Sequence, residues 1–357
     1  MTADCDRLPW SYGPAWCRVN SSDCAPGPHP QPHPQPAPAP DDTIRTVHVV
    51  AMVRWRCFLS LVGLGVSLTM DSSPFQNHLD VGFSCKGCGG SSSPRDKIDG
   101  MSAPFTSTLL SFYVNEAIPM AINTSRALAA SGNASYTYTT HCFLVSFFLD
   151  CPQHWPELRC PAPQLVKDFH DAVDAGWITW HAFPHNGEPE TFDAELFADG
   201  IGLCHALDDR FGKPHASVLS QRDVPGLTRS VIPLLAQQDV LALSVGANTY
   251  SASAAVPRIY RWREPQSNLS VIALQHPGGY GDGSTVVMPN GSSGHALHLL
   301  FNGDNAGPHS VEQVTARFEK LRASYPKAEV IGSTWDAFVS AIVADRSAET
   351  LEVRNFD

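Results

Sequence analysis

From residue 43 onward the chain repeats one pattern: a short β-branched or alternating run, a turn, then a segment with apolar residues at helical spacing. TIRTVHVVAM (43–52) reads as a strand, 105–131 as a long helical stretch ending at Gly132, and YTYTTHCFL (136–144) as a strand again. A helix over 162–176, a strand over 177–183, a helix over 191–211 and a strand over 215–221 follow. A helix over 225–237, strands over 240–245 and 295–302, a helix over 310–323, AEVIG (328–332) and a helix over 333–345 complete the series. Strands separated by helices of this length are joined by crossovers, so they form a parallel sheet, open or closed into a barrel. The expected fold class is α/β.

Residues 1–42 stand outside this pattern. In APGPHPQPHPQPAPAP (25–40) every second residue is Pro, which removes backbone donors and favours an extended polyproline-like chain. We expect 1–42 to be a disordered Pro-rich segment, with His29 and His33 as solvated linker residues. Hydrophobic residues are 43% of the 357 positions, enough for a large core in the remainder. Lys and Arg total 24 against 35 Asp and Glu, a net charge of −11. That opposes a nucleic-acid partner, because phosphate binding needs a basic footprint. No apolar run reaches the ~20 residues of a spanning helix, so no transmembrane span is expected. Ten cysteines are more than a cytosolic enzyme usually carries, and five N-x-S/T sequons occur, at Asn20, Asn123, Asn133, Asn268 and Asn290. MTADCDRLPWSYGP has no apolar leader segment. The expected setting is nonetheless the secretory pathway or the extracellular space.

In parallel α/β folds, functional side chains collect at the carboxyl ends of the strands. Three polar groups follow apolar runs: His78-Leu79-Asp80, Arg222-Asp223-Val224-Pro225-Gly226 and Gly303-Asp304-Asn305. In an extended turn a His-x-Asp pair points both side chains the same way, and an imidazole with a carboxylate suits a divalent metal. Taken singly, each has a plainer reading. An H-x-D is commonly a surface turn, and an Asp between strand and helix is commonly an N-cap.

Together the segments resemble the N-terminal domain of the class II α-mannosidases, glycoside hydrolase family 38. Gly176-Trp177, Phe211-Gly212-Lys213-Pro214, Asp223-Val224-Pro225-Gly226 and VIPLLAQQDVLALSVG (231–246) are similar to that family's Gly-Trp strand start, Phe-Gly helix end, Asp-x-x-Gly turn and Leu/Ala-rich helix. HLDVGF (78–83) resembles its His-x-Asp-x-Gly-Trp zinc motif, with Phe83 in the Trp place, and LLFNGDNAGP (299–308) resembles its Gly-Asp-Asp-Phe segment. The resemblance covers roughly residues 44–345. It implies a seven-stranded parallel β/α barrel of the glycoside hydrolase/deacetylase type over 43–357, with one Zn²⁺ at its mouth. His78, Asp80 and Asp223 would be zinc ligands, Asp223 also the nucleophile, and Phe83 the wall on which the sugar stacks. The implied activity is zinc-dependent, retaining hydrolysis of α-mannoside-like carbohydrate, which needs a nucleophilic carboxylate and an acid/base carboxyl about 5–5.5 Å apart.

The chain departs from that family in several places. Asn305 occupies the place of the general acid, and an amide cannot deliver a proton. Asp304 is then the candidate acid and Asn305 a substrate contact. The family's acidic pair after the Gly-Trp strand is missing from WHAFPHNGEPE (180–190), where His181, His185 and Glu188 are substrate contacts or ordinary surface and core residues. His309 is a possible substitute for the family's last zinc ligand, and Cys85-x-x-Cys88 lacks the second pair of a four-thiolate zinc site. Two alternatives stay open. A metal-dependent carbohydrate deacetylase would expect an H-x-x-x-H pair, where this chain has His295-x-x-His298. The other is a non-catalytic, truncated carbohydrate-binding product.

In the resembled family the first strand runs almost directly into His-x-Asp, whereas here residues 53–76 intervene. Their apolar run (57–70) is too short to span a bilayer and out of place at a barrel mouth. Val codons begin GT and a Gln codon is CAG, so a segment from Val53 to Gln76 can carry intron borders. It reads as a non-native insertion, with Met52 joined to Asn77 in the native chain.

Overall fold

A computed structural model describes residues 44–52, 112–132, 135–152, 159–248, 251–276, 285–301 and 307–356. The expectations for 1–42 and for 53–76 fall outside these residues, as does Cys85-x-x-Cys88.

Strand β1 (Thr46–Met52) organises the first sheet. Along one edge it pairs in parallel over its whole length with β9 (His295–Phe301). Along the other, its first half pairs with β10 (Glu329–Gly332) and its last two residues with β2 (Tyr138–His141), again in parallel. Strand β3 (Ile178–His181) continues beyond β2, and β8 (Thr285–Val287) lies antiparallel on β9. The second sheet runs β11 (Val353–Arg354), β6 (Ile259–Arg263), β7 (Ser270–His276), β5 (Ala242–Ala247), β4 (Val218–Val224). A bond from the Ala182 N–H to the Val218 carbonyl, 2.9 Å, links the end of β3 to the start of β4.

Among the described residues this is two parallel-rich sheets, not the closed seven-stranded barrel expected from the sequence. The obstacle is at the seam between β7 and β9. Antiparallel β6 takes the second edge of β7 and antiparallel β8 takes the second edge of β9, so neither has an edge to offer the other.

Both faces of the strands are buried, as parallel sheets require. On the outer face of β1, Val47 and Val49 pack with α1 (Ile118–Ser131), α2 (Cys142–Leu149), α3 (Pro163–Asp174) and α6 (Val311–Ser324). The outer faces of β4, β5 and β7 pack with α4 (Ala194–Arg210) and α5 (Val231–Gln237). The intervening positions, Val50, Val218, Ala242, Ile272, Leu274, Leu297 and Leu299, join one cluster with α7 (Trp335–Ala344). The helices begin where the sequence supplies caps. The Ser310 hydroxyl and the Gln313 side chain form a capping box on α6, Asp193 accepts from the Leu196 N–H at 2.8 Å, and Thr334 from the Ala337 N–H at 3.0 Å.

Two expectations need correction. The strand expected over 136–144 ends at His141, and CFLVSFFL is α2. That run is apolar throughout, so no period separates helix from strand. The helix expected over 225–237 begins only at Val231.

Among the described residues two disulfides form, Cys142–Cys204 between α2 and α4 and Cys151–Cys160. The first closes a loop of 62 residues and joins two wholly buried sulfurs. Chain entropy assigns such a loop about 4 kcal/mol. We expect Cys204→Ala to lower the unfolding free energy by ~2–4 kcal/mol in urea titrations. Alkylation of Cys142 in the native, unreduced protein would show the bond to be absent.

Candidate functional site

The carboxyl end of β4 departs from regular strand geometry. Its register against β5 shifts between Arg222 and Val224, and Asp223 adopts φ 61°. Left-handed backbone costs an L-residue about 1–2 kcal/mol, and Asp is among the few non-glycine residues that adopt it. Asp223 is 3% exposed, and its Oδ1 accepts from Asn248 Nδ2 at 2.6 Å. The Asn248 N–H donates to the Val224 carbonyl at 2.8 Å, so the residue following β5 holds both the strand end and the carboxylate. The N-cap reading of Asp223 falls, because α5 starts at Val231 behind Ser230.

The loop after β3 is fastened to the same strand. The Gln221 side chain accepts from the Gly187 N–H at 2.7 Å and donates to the His185 carbonyl at 3.0 Å, and buried Asn186 accepts from the Arg222 N–H at 3.0 Å. His185 is partly buried, with Nδ1 against the Asn186 carbonyl, and burial lowers its pKa.

Strand alternation gathers further polar groups. Tyr138 of β2, Ile178 and Trp180 of β3, Leu219 of β4 and Val271 and Ala273 of β7 face outward into the helices. Their alternates His141, His181, Arg222 and His276 therefore lie on the inner face, at or near the carboxyl ends, and all four are buried. His181 Nδ1 accepts from the Phe183 N–H at 3.3 Å, so its proton sits on Nε2 and is donated to His141 Nδ1 at 2.9 Å. His141 then carries its own proton on Nε2. Burial, with the Arg222 cation and His185 adding to it, holds His181 down at about 3. Burial again, followed by Arg222 and Arg258, holds His276 well below the ordinary imidazole range.

Of the residues expected from the sequence, Asp223 is within the described residues; His78, Asp80, Phe83, Asp304 and Asn305 lie outside them. Among the described residues no three His, Cys, Asp or Glu side chains gather as a metal ion would require. Asp223 offers a hard oxygen donor suited to Zn²⁺, and the other expected ligands are His78 and Asp80. His309 gathers with no two other such side chains among the described residues. Its backbone bonds Tyr136 Oη and Thr124 Oγ1, its ring lies near the Tyr136 ring, and burial holds its pKa at about 4. His295 and His298 sit three residues apart on β9 and turn to opposite partners, His48 at 3.1 Å and Thr285 at 3.2 Å, so they are not a metal pair. Sequence reasoning misses His141, His276 and Asn248, and gives Arg222 no role. The available signal was a polar residue closing a strand run, but β7 was not recognised as a strand.

The buried histidines set a pH dependence. His181 is neutral in the folded protein down to about 3 and becomes charged in the unfolded chain near 6.5. Unfolding therefore takes up a proton between those values, and stability falls as pH drops through that window. At about pH 5 the loss from His181 is on the order of 2 kcal/mol. Buried Asp208 and partly buried Asp336, whose carboxyls desolvation raises, act with the opposite sign, so the comparison must be between variants. His181→Gln should flatten the decline of the urea midpoint between about pH 7 and pH 5. An unchanged slope would show that His181 does not titrate in this way.

No protein-family model matches the chain, and no curated protein matches its sequence. Solved structures do resemble it. An α-mannosidase from Enterococcus faecalis V583 aligns with a TM-score of 0.53 at 12% identity, over 87% of this chain and 30% of that one. A glycosyl hydrolase family 38 protein from Enterococcus faecalis aligns at 0.48 and 11%, over 88% and 29%. A chain described as a polysaccharide deacetylase from Mycobacterium smegmatis aligns at 0.42 and 14%, over 74% and 86%. The chain thus spans less than a third of the two Enterococcus proteins. At these identities the first likeness shows the fold alone: an α/β arrangement of the kind found within a much longer α-mannosidase.

Proposed function

We propose that this chain is a carbohydrate-active hydrolase of the α-mannosidase type: a zinc-dependent retaining glycosidase acting on α-mannoside-like sugars through Asp223. One observation carries the reading. A buried carboxylate is held in left-handed backbone at the carboxyl end of a parallel strand, and strain of this sort persists where surrounding structure maintains it for use. The similarity of fold supports a sugar as the substrate class. The parallel pairings of β3, β2, β1 and β9 in one sheet and of β4, β5 and β7 in the other support a kinship with the parallel barrels of glycoside hydrolases.

In a retaining reaction the nucleophilic carboxylate bonds to the anomeric carbon as the bond to the leaving oxygen breaks. A second carboxyl protonates that oxygen and later accepts a proton from the attacking water. Asp223 takes the first role. The Asn248 amide orients one of its oxygens and, by donating to it, favours the ionised form that attack requires. Asp304 takes the second role, with Phe83 and Asn305 as sugar contacts. Zn²⁺ would be held by His78, Asp80 and Asp223, where it would supply a Lewis acid and a template for sugar hydroxyls. The two disulfides support an oxidising compartment, the secretory pathway or the extracellular space. No helix among the described residues is long and apolar enough to cross a membrane.

The test is to assay the purified chain on aryl α-mannosides and on acetylated sugars, with and without a chelator. Mannosidase activity should require metal, and Asp223→Asn should lower kcat/KM by at least ~10³-fold. Asp304→Ala should slow glycosides with poor leaving groups far more than activated ones. Turnover that survives both chelation and Asp223→Asn would refute the assignment. Deacetylation without glycoside hydrolysis would move the chain to the deacetylase class.

A further inference from the structure

Arg222 is 1% exposed, among the largest fully buried side chains described, and no carboxylate among the described residues pairs with it. Its Nη2 donates to Ser244 Oγ, and its guanidinium lies over the Trp335 ring, 5.4 Å from the centroid. Its Nε and Nη1 have no hydrogen-bond partner. An arginine guanidinium keeps its proton throughout the neutral range, so the group is a cation.

The surroundings do not neutralise it. His276 stands edge-on to the same Trp335 ring, and its Nε2 is also buried without a partner. His181 and His276 both feel the Arg222 charge, and both are neutral. Neutral imidazoles can each present one N–H, and an arginine presents five. The inner face of β4 and β7 therefore ends in hydrogen-bond donors and one uncompensated positive charge. A lone buried charge is strongly unfavourable unless something of opposite sign joins it, and removing one partner of a buried pair leaves such a state behind. An oxyanion would complete the pair through charge-assisted hydrogen bonds.

We propose that Arg222, with His276 beside it, binds an oxyanionic substituent on the carbohydrate, a carboxylate, sulfate or phosphate, so that the preferred sugars are acidic rather than neutral. This rests on reading the strand-end face as a carbohydrate site, but it needs no turnover to be tested. Arg222 is a specificity-determining residue here, adjacent in sequence to Asp223 and not part of the reaction itself.

The experiment measures binding by thermal shift and calorimetry on the full chain, with mannuronate, mannose 6-sulfate and mannose 6-phosphate against neutral mannose. At saturating concentration at least one acidic sugar should raise Tm by about 3 °C or more while mannose does not, and the best of the three identifies the anion. Arg222→Met should abolish that shift while raising the ligand-free Tm, because an unpaired buried charge has been removed. A purely structural arginine would give the reverse, a lower Tm. Should Arg222→Met not fold, Arg222→Lys keeps the charge without the planar fork, and should weaken binding by ~10-fold or more. If no acidic sugar stabilises the wild type more than mannose, or if Arg222→Lys binds as well as the wild type, the proposal is overturned. Binding of acidic sugars by a chain that does not hydrolyse aryl α-mannosides would uphold this inference and count against the mannosidase reading alone.

Discussion

Packing against α7 holds the two sheets together where β7 and β9 face each other. With β6 on β7 and β8 on β9, no ladder joins the sheets at that seam among the described residues. Their inner faces are instead joined by apolar contact, with Trp335, Phe338, Val339 and Ile342 of α7 packed against residues from β1 and β9 of one sheet and β4, β5 and β7 of the other. All four side chains are essentially buried, worth roughly 1.5–3 kcal/mol each in area removed from water. The helix is fixed in place by polar contacts at both ends. Asp336 accepts from the Ser217 N–H and hydroxyl at 2.6 and 2.8 Å, and Asp345 accepts from the Ser293 hydroxyl. The candidate site depends on this packing, since the Trp335 ring supports Arg222 and meets His276 in a T-shaped contact.

The inner face changes character along the strands. Val218, Ala242, Ile272 and Leu297 fill its middle, and His141, His181, Arg222 and His276 take over toward the carboxyl ends. Imidazoles suit that border because they can be buried neutral, as the lowered pKa values of His181 and His276 require, while still sharing one proton along the His181–His141 hydrogen bond. On the outer side Asp208 does comparable work for the fold: it accepts from Trp180 Nε1 at 2.7 Å and from the Ala216 N–H at 2.8 Å, tying α4 to β3 and to the approach to β4.

The elements with clear periods and caps were legible in the sequence. Pro163–Asp174, Val311–Ser324 and Trp335–Ala344 fall within a few residues of their expected spans, because amphipathic spacing and capping residues act locally. The hairpin of β6 and β7 was not legible. Its strands IYRWR and SVIALQH are joined by a turn in which the Glu264 carboxylate accepts from the Gln266 and Ser267 N–H groups and Asn268 takes φ 56°; Pro265 and Asn268 mark that turn, but the charged Arg261 and Arg263 disguise the strand before it. Among the described residues no closed barrel is shown, since antiparallel β6 and β8 take the second edges of β7 and β9. At the candidate site, the position of Asp223 at a strand end was legible through the strand run before it and its Asp-x-x-Gly turn. His141, His276 and Asn248 were not, because only the three-dimensional order of β2, β5 and β7 brings their ends into one region.

The bulge in β4 explains how two adjacent residues of opposite charge serve one strand end without cancelling. In an unbroken strand, Arg222 would follow Val218 and Ser220 to the inner face, and Asp223 would follow Leu219 and Gln221 toward the helices. Arg222 keeps its place. Asp223 leaves the alternation through its left-handed backbone and the register shift, and is caught by Asn248 from the neighbouring strand. No ion pair forms between the two. The local strain of about 1–2 kcal/mol at Asp223 is thus what takes its carboxylate off the helix-facing side that an ideal strand would give it and sets it against Asn248.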